Sequence, residues 1–156
     1  MSPEKMNSLQ LLLDQAQQQS DMAQSALRQA EEQARRSRTQ HEQLLGYRAE
    51  YEARWSSQFR QGSTMDILMH YRSFMQRLDQ ALALQLRQAQ QAESHCAQAR
   101  ERLVDCERRV ASVRKLIERR SAELAQAGRR REQKLSDEQA QRMRWNHTER
   151  DRLLPH

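Results

Sequence analysis

Gly62-Ser63-Thr64-Met65-Asp66 is the one strong stop-and-start signal in the chain, and it decides the fold. Glycine weakens a helix through its backbone freedom, and Ser63 with a carboxylate three residues on, at Asp66, reads as a capping box that opens a new helix. On either side little interrupts a helix: no proline lies between Pro3 and Pro155, and Gly46 and Gly128 are the only other glycines. The reading is all-α, an antiparallel two-helix coiled-coil hairpin over 1–156 as a single unit. Helix 1 is expected over about 3–61, the turn at about 62–63 and helix 2 over about 64–152. A hairpin of this kind offers no cleft for chemistry, so function must come from what its surfaces touch.

The periodicity agrees. Alternating steps of three and four from Leu68 run through Tyr71, Met75, Leu78, Leu82, Gln85, Ala89, Ala92, Cys96, Ala99, Leu103, Cys106, Val110, Val113, Ile117, Arg120, Leu124 and Ala127. Sixteen of these eighteen positions are apolar, which makes a sustained heptad seam. The next positions, Arg131, Lys134, Glu138 and Gln141, are polar, so the seam stops near Ala127. Helix 1 carries a weaker seam at Met6, Leu9, Leu13, Ala16, Ser20, Ala23, Leu27, Ala30, Ala34, Ser37, His41, Leu44, Arg48, Tyr51, Trp55 and Gln58. Four of its apolar members are Ala, which bury little area each, and Ser20, Ser37, His41 and Arg48 interrupt it. A marginally stable monomer, better ordered when bound, is expected, with no cooperative melt above about 70 °C. Gly46 costs the first helix about 1 kcal/mol of propensity beside an aromatic cluster of Tyr47, Tyr51 and Trp55.

Folding at Gly62 pairs residues whose numbers add to about 124, so Trp55 should meet the region of Met69 and Met6 that of Ile117. Residues beyond about 120 then project as a helical overhang, roughly 40–50 Å long if wholly helical. That overhang holds the charge. Residues 114–152 carry twelve Arg/Lys against seven Asp/Glu, whereas the rest of the chain is nearly balanced within a total of +6. A basic tip implies an acidic partner, and its Arg-rich composition favours planar contact with carboxylates or phosphates. Arg129-Arg130-Arg131 is the densest run, but no aromatic residues interleave it and Glu132, Asp137 and Glu138 follow at once. Protein docking or a simply solvated face fits it better than nucleic acid.

Other classes are excluded by composition. The longest apolar run, Leu11-Leu12-Leu13, is far too short to span a bilayer, and the first residues lack signal-peptide character, so a cytoplasmic protein is expected. The five histidines are scattered without metal-ligand spacing, no Gly-rich phosphate loop exists, and no nucleophile sits beside a base. The chain is read as a non-enzyme with no cofactor, metal or catalytic residue. Cys96 and Cys106, about 15 Å apart along one helix, cannot bridge each other and read as small core residues. Phe74, Leu78 and Ala81 recur at i, i+4 and i+7 just after the turn. Phe74 is not needed by the heptad, so it is either an exposed docking anchor or a widening of the seam toward Trp55 or Tyr51.

Three segments are more specific. Gln43-Leu44-Leu45-Gly46-Tyr47-Arg48-Ala49-Glu50-Tyr51 ends the first helix, and Tyr71-Arg72-Ser73-Phe74-Met75-Gln76-Arg77-Leu78-Asp79-Gln80-Ala81 follows the turn. Arg131-Glu132-Gln133-Lys134 with Asp137-Glu138-Gln139-Ala140 lies near the C-terminus. In order, spacing and length the chain resembles the FliJ family, soluble components of the bacterial flagellar type III export apparatus. The resemblance implies a fold similar to the central-stalk hairpin of rotary ATPases. It implies insertion into the ring of the flagellar export ATPase, binding to the membrane export gate and handling of export chaperones, in support of flagellum assembly, motility and chemotaxis. It implies a location on the cytoplasmic face of the inner membrane, peripherally associated. Carried over to this sequence, the ATPase-docking residues would be Arg129, Arg131, Gln133 and Lys134, and the gate-docking residues Phe74, Leu78, Ala81 and Gln85. Weak self-association is a further expected property; no nucleic-acid partner is. The alternatives are an injectisome stalk homologue, a nucleic-acid-binding basic coiled coil and a passive structural coiled coil.

Overall fold

The computed structural model describes residues 3–153. Its elements are two α-helices, α1 (Pro3–Arg60) and α2 (Met65–Leu153), with no strand among the described residues. The chain reverses where Gly62 adopts φ +103°, a conformation closed to residues with a Cβ except at a strain cost. The Gln61 and Gly62 amides donate to the Gln58 and Phe59 carbonyls, which closes α1. The start of α2 departs from the expected capping box. Thr64, not Ser63, is the N-cap: its Oγ1 accepts from the Ile67 amide at 3.4 Å, and the residue three positions on is therefore Ile67 rather than Asp66. The Ser63 hydroxyl instead donates to the Thr64 carbonyl.

Contacts divide the chain into two compact units. In the unit Gln17–Arg108 the two helices pack antiparallel along the expected seams. Every α2 seam position from Leu68 to Leu103 and on to Cys106 is buried or half-buried, as is every α1 seam position from Ser20 to Trp55. Gln58 is the exception. It is exposed, and Phe59 turns inward in its place because a large ring gains more from burial than an amide. The register runs slightly further along α2 than folding at Gly62 gives: Trp55 meets Tyr71, not Met69. The four-residue link from Arg60 to Met65 accounts for the shift.

The centre of this unit is built from small side chains. Ala34, Ala92 and Cys96 form its buried cluster, with Leu27 and Ala30 packed against it. Cys96 is 1% exposed, and Ser20 and Ser37 are buried at other positions of the α1 seam. Small residues let the helices approach closely, so the core is thin and dispersion from close contact stands in for bulk apolar area. Toward the turn the side chains enlarge: Met75, Leu78 and Leu82 are buried. The seam arginine is accommodated by charge. Arg48 is half-buried, its Nε donates to Asp79 across the hairpin at 2.6 Å, and its Nη1 reaches Glu52 at 3.1 Å. Arg38 and Glu93 make a second cross-hairpin pair.

The other unit joins residues up to Ala16 with those from Arg109 onward. Ala16, Val110 and Val113 are buried there, Leu9, Leu12, Leu13, Leu116 and Ile117 half-buried. Lys5 lines a shallow hollow with Arg120, Glu123, Leu124 and Ala127. Leu124 is the last half-buried residue of α2; from Ala125 to Leu153 every residue is exposed.

Two outcomes follow for stability. Leu82→Ala, which empties a buried seam position, should lower the unfolding free energy by about 2–3 kcal/mol in denaturant titrations. The Arg48 guanidinium bonded to Asp79 holds its carboxyl below its ordinary value. A depressed carboxylate contributes stability above its unfolded pKa and loses it as the pH falls through the folded one. The melting-temperature gap between wild type and Asp79→Asn should therefore be open at neutral pH and close on acidification to about pH 2.

Candidate docking surfaces

Six of the seven aromatic residues lie between Tyr47 and Phe74, at the turn end of the hairpin. On α1 they recur every four residues, and consecutive rings touch: Tyr47–Tyr51 at 5.9 Å, Tyr51–Trp55 at 6.0 Å and Trp55–Phe59 at 5.5 Å between centroids. A four-residue step overshoots one helical turn by about 40°, so the row winds across the seam. It begins at Tyr47 on one flank, crosses the interface at Tyr51 and Trp55, and leaves by the other flank at Phe59. From α2, Phe74 packs on Tyr51 at 4.4 Å and Tyr71 lies between Trp55 and Phe59 at 5.5 and 5.2 Å.

This geometry decides between the two readings of Phe74 and leaves less of the stripe exposed than its spacing suggests. Phe74 is half-buried on Tyr51 and so widens the seam, and Leu78 is buried in the seam itself because it occupies a heptad position. Of Phe74, Leu78, Ala81 and Gln85, only Ala81 is exposed. Gln85 is half-buried, and its Oε1 is enclosed with no hydrogen-bond partner. It lines a hollow with Gln40, Gln43, Leu44 and Tyr47 of α1. The candidate surface at this end draws on both helices, whereas the residues named from the sequence all lie on α2. Tyr47 is 48% exposed and Leu84 of α2 57% exposed beside Ala81. The missed signal lay in the first motif: its leading tyrosine stands four residues before Tyr51 and so falls beside the seam, not in it.

The two flanks of the hairpin differ. One is closed by Arg38–Glu93 and by Arg48 with Asp79 and Glu52. The flank carrying Tyr47, Ala81 and Gln85 has no cross-hairpin ion pair among those described.

The second candidate surface lies on the exposed part of α2. Arg129, Arg131, Gln133 and Lys134 are all exposed, and none takes part in an ion pair among the described residues. At about 100° per residue, Arg129 and Gln133 share one side of the helix while Arg131 and Lys134 lie on the other. The structure brings the four to one level of the helix, not to one face. Trp145, 64% exposed, continues the heptad phase of α2 and is surrounded by Glu138, Gln141, Arg142, Arg144, Asn146 and Thr148. Among the described residues no group of His, Cys, Asp and Glu could hold a metal ion. No helix among them is long and apolar enough to cross a membrane.

The family model described as flagellar FliJ protein matches residues 5–149. The chain belongs to the FliJ family. It is accordingly a flagellar export apparatus component and takes part in protein transport, a role that is not enzymatic. Neither a curated protein nor a solved structure matches the chain. Within this FliJ chain, the first two motifs meet at the aromatic end of the hairpin, and the third lies on the exposed part of α2.

The enclosed Gln85 carbonyl gives a direct check on the surface. An unpaired buried acceptor carries a desolvation cost, so Gln85→Leu should raise the unfolding free energy by about 1 kcal/mol or more in denaturant titrations.

Proposed function

We propose that this FliJ chain is a stalk of the flagellar export machinery. It docks with the ring of the export ATPase through Arg129, Arg131, Gln133 and Lys134, and with the membrane export gate through the two-helix surface of Phe74, Leu78, Ala81 and Gln85, to which Tyr47 adds. It assists export chaperones and is held at the cytoplasmic face of the inner membrane through these partners. Leu78 acts from inside the surface, by holding the backbone under Ala81, and Phe74 by fixing the edge that Tyr51 supports.

The reading rests above all on α2 from Ala125 to Leu153. A single helix with every residue exposed gains nothing from tertiary packing, so its order in service must come from a partner. Cationic and amide side chains distributed around its circumference suit an enclosing partner, since a flat one would contact a single face. The gate surface is supported by the enclosed, unpaired Gln85 carbonyl. An enclosed acceptor without a partner, beside exposed Tyr47, Ala81 and Leu84, supports reading this as a surface that gains from being covered.

The purified chain should raise the activity of the export ATPase from the same organism and promote its ring assembly. Replacing Arg129, Arg131 and Lys134 together by Ala should abolish that stimulation and leave the melting curve unchanged. Ala81→Asp, at an exposed site, should remove binding to the gate's cytoplasmic part by about tenfold or more in a titration while sparing ATPase stimulation. No stimulation well above micromolar concentration, together with salt-steep binding to DNA or RNA, would replace this reading with a nucleic-acid one.

A further inference from the structure

A second concavity lies within the same compact unit, away from the gate surface. Gln19, Met22, Ala23 and Ala26 of α1 line it with Arg102 and Cys106 of α2. Its floor is the buried Ala23 and the half-buried Cys106, where small side chains leave a notch between the helices. Met22 stands at its rim, 71% exposed. Arg102 faces it from α2 with no ion pair among the described residues. Asp105, one helical turn along, is exposed and approaches only Arg108, at 4.0 Å.

We propose that this groove is the contact through which two copies of the chain pair, weakly, about a two-fold axis. A two-fold contact puts the same patch on both sides, so the patch must contain a knob with its hole and a cation with its anion. This one contains all four. Met22 is an unbranched, adaptable knob, and Ala23 and Ala26 over Cys106 form a hole without a bulky occupant. Arg102 and Asp105 supply opposite charges on one side of one helix. With the copies antiparallel, Met22 of each enters the other's notch and Arg102 of each meets the other's Asp105. The opposite flank offers no such set, because Arg38, Arg48, Asp79 and Glu93 already satisfy one another within one hairpin. Six lining residues fall short of the roughly 1,200 Å² that stable complexes bury, so the dimer belongs at about 10–100 μM.

Sedimentation equilibrium of the full chain from about 1 to 300 μM tests this. Monomer at the low end and dimer at the high end is the expected result, with Met22→Asp and Ala26→Arg each raising the dissociation constant at least about tenfold. Both sites are exposed, and a thermal melt of each variant confirms that the hairpin is intact. A charge exchange gives a readout independent of Met22: Arg102→Glu weakens the dimer, and adding Asp105→Arg to it restores the affinity. A chain that stays monomeric across the range overturns the proposal. So does a dimer indifferent to Met22→Asp, or one that the exchanged pair fails to restore.

Discussion

The close approach of two helices over small side chains is the constraint on which the rest of this molecule depends. Ala34 of α1 forms the buried cluster of the unit Gln17–Arg108 with Ala92 and Cys96 of α2, and Ser20, Ala23 and Ser37 continue the run of small buried side chains along α1. Close approach strengthens dispersion contacts, yet each layer removes little apolar area from water. The unit therefore relies on its turn end, where Met75, Leu78 and Leu82 and the ring contacts supply the bulk the alanines lack. The ring contacts that stabilise this end also frame the candidate docking surface, and six of the chain's seven aromatics gather there.

That economy also explains the treatment of charge in the seam. Arg48 in a heptad position would be a defect in a thick apolar core. In a thin one its guanidinium reaches the edge and is met by Asp79 and Glu52. Such an exposed pair adds little stability, but it fixes the register of one flank, as the Arg38–Glu93 pair does a few turns away. With one flank fastened, the other can carry Tyr47, Ala81, Leu84 and the unpaired Gln85 carbonyl without letting the helices slide.

Most of the fold was legible in the sequence because a heptad states its own geometry. The absence of proline, the single strong break at Gly62 and the seam from Leu68 onward determine two helices and their facing sides. What the pattern missed was local competition. Thr64 takes the cap from Ser63 because the helix begins one residue later, and Phe59 takes the inward position from Gln58 because burial favours a ring over periodicity. The candidate surface was legible only in part. Spacing along α2 grouped Phe74, Leu78 and Ala81, but spacing within one helix cannot say which members the other helix covers. Tyr47 went unassigned for the same reason, since its place beside Gln85 exists only once the register is known. Arg129, Arg131, Gln133 and Lys134 posed no such difficulty, because nothing folds over them.

The contrast between these two candidate surfaces bears on how the proposed stalk would work. The surface proposed for the gate is assembled across two helices, so its shape depends on their register, and any slip of α1 against α2 would dismantle it. The basic stretch of α2 belongs to one helix and keeps its arrangement whatever the hairpin does. A partner gripping the basic stretch can turn or strain the helix without altering the contact it holds. On the proposed reading, a partner bound at Tyr47, Ala81 and Gln85 would depend on the two helices remaining in register. A thin seam of alanine and serine leaves that register to the turn-end ring contacts and to the pairs Arg48–Asp79 and Arg38–Glu93, on which a thick leucine core would depend less.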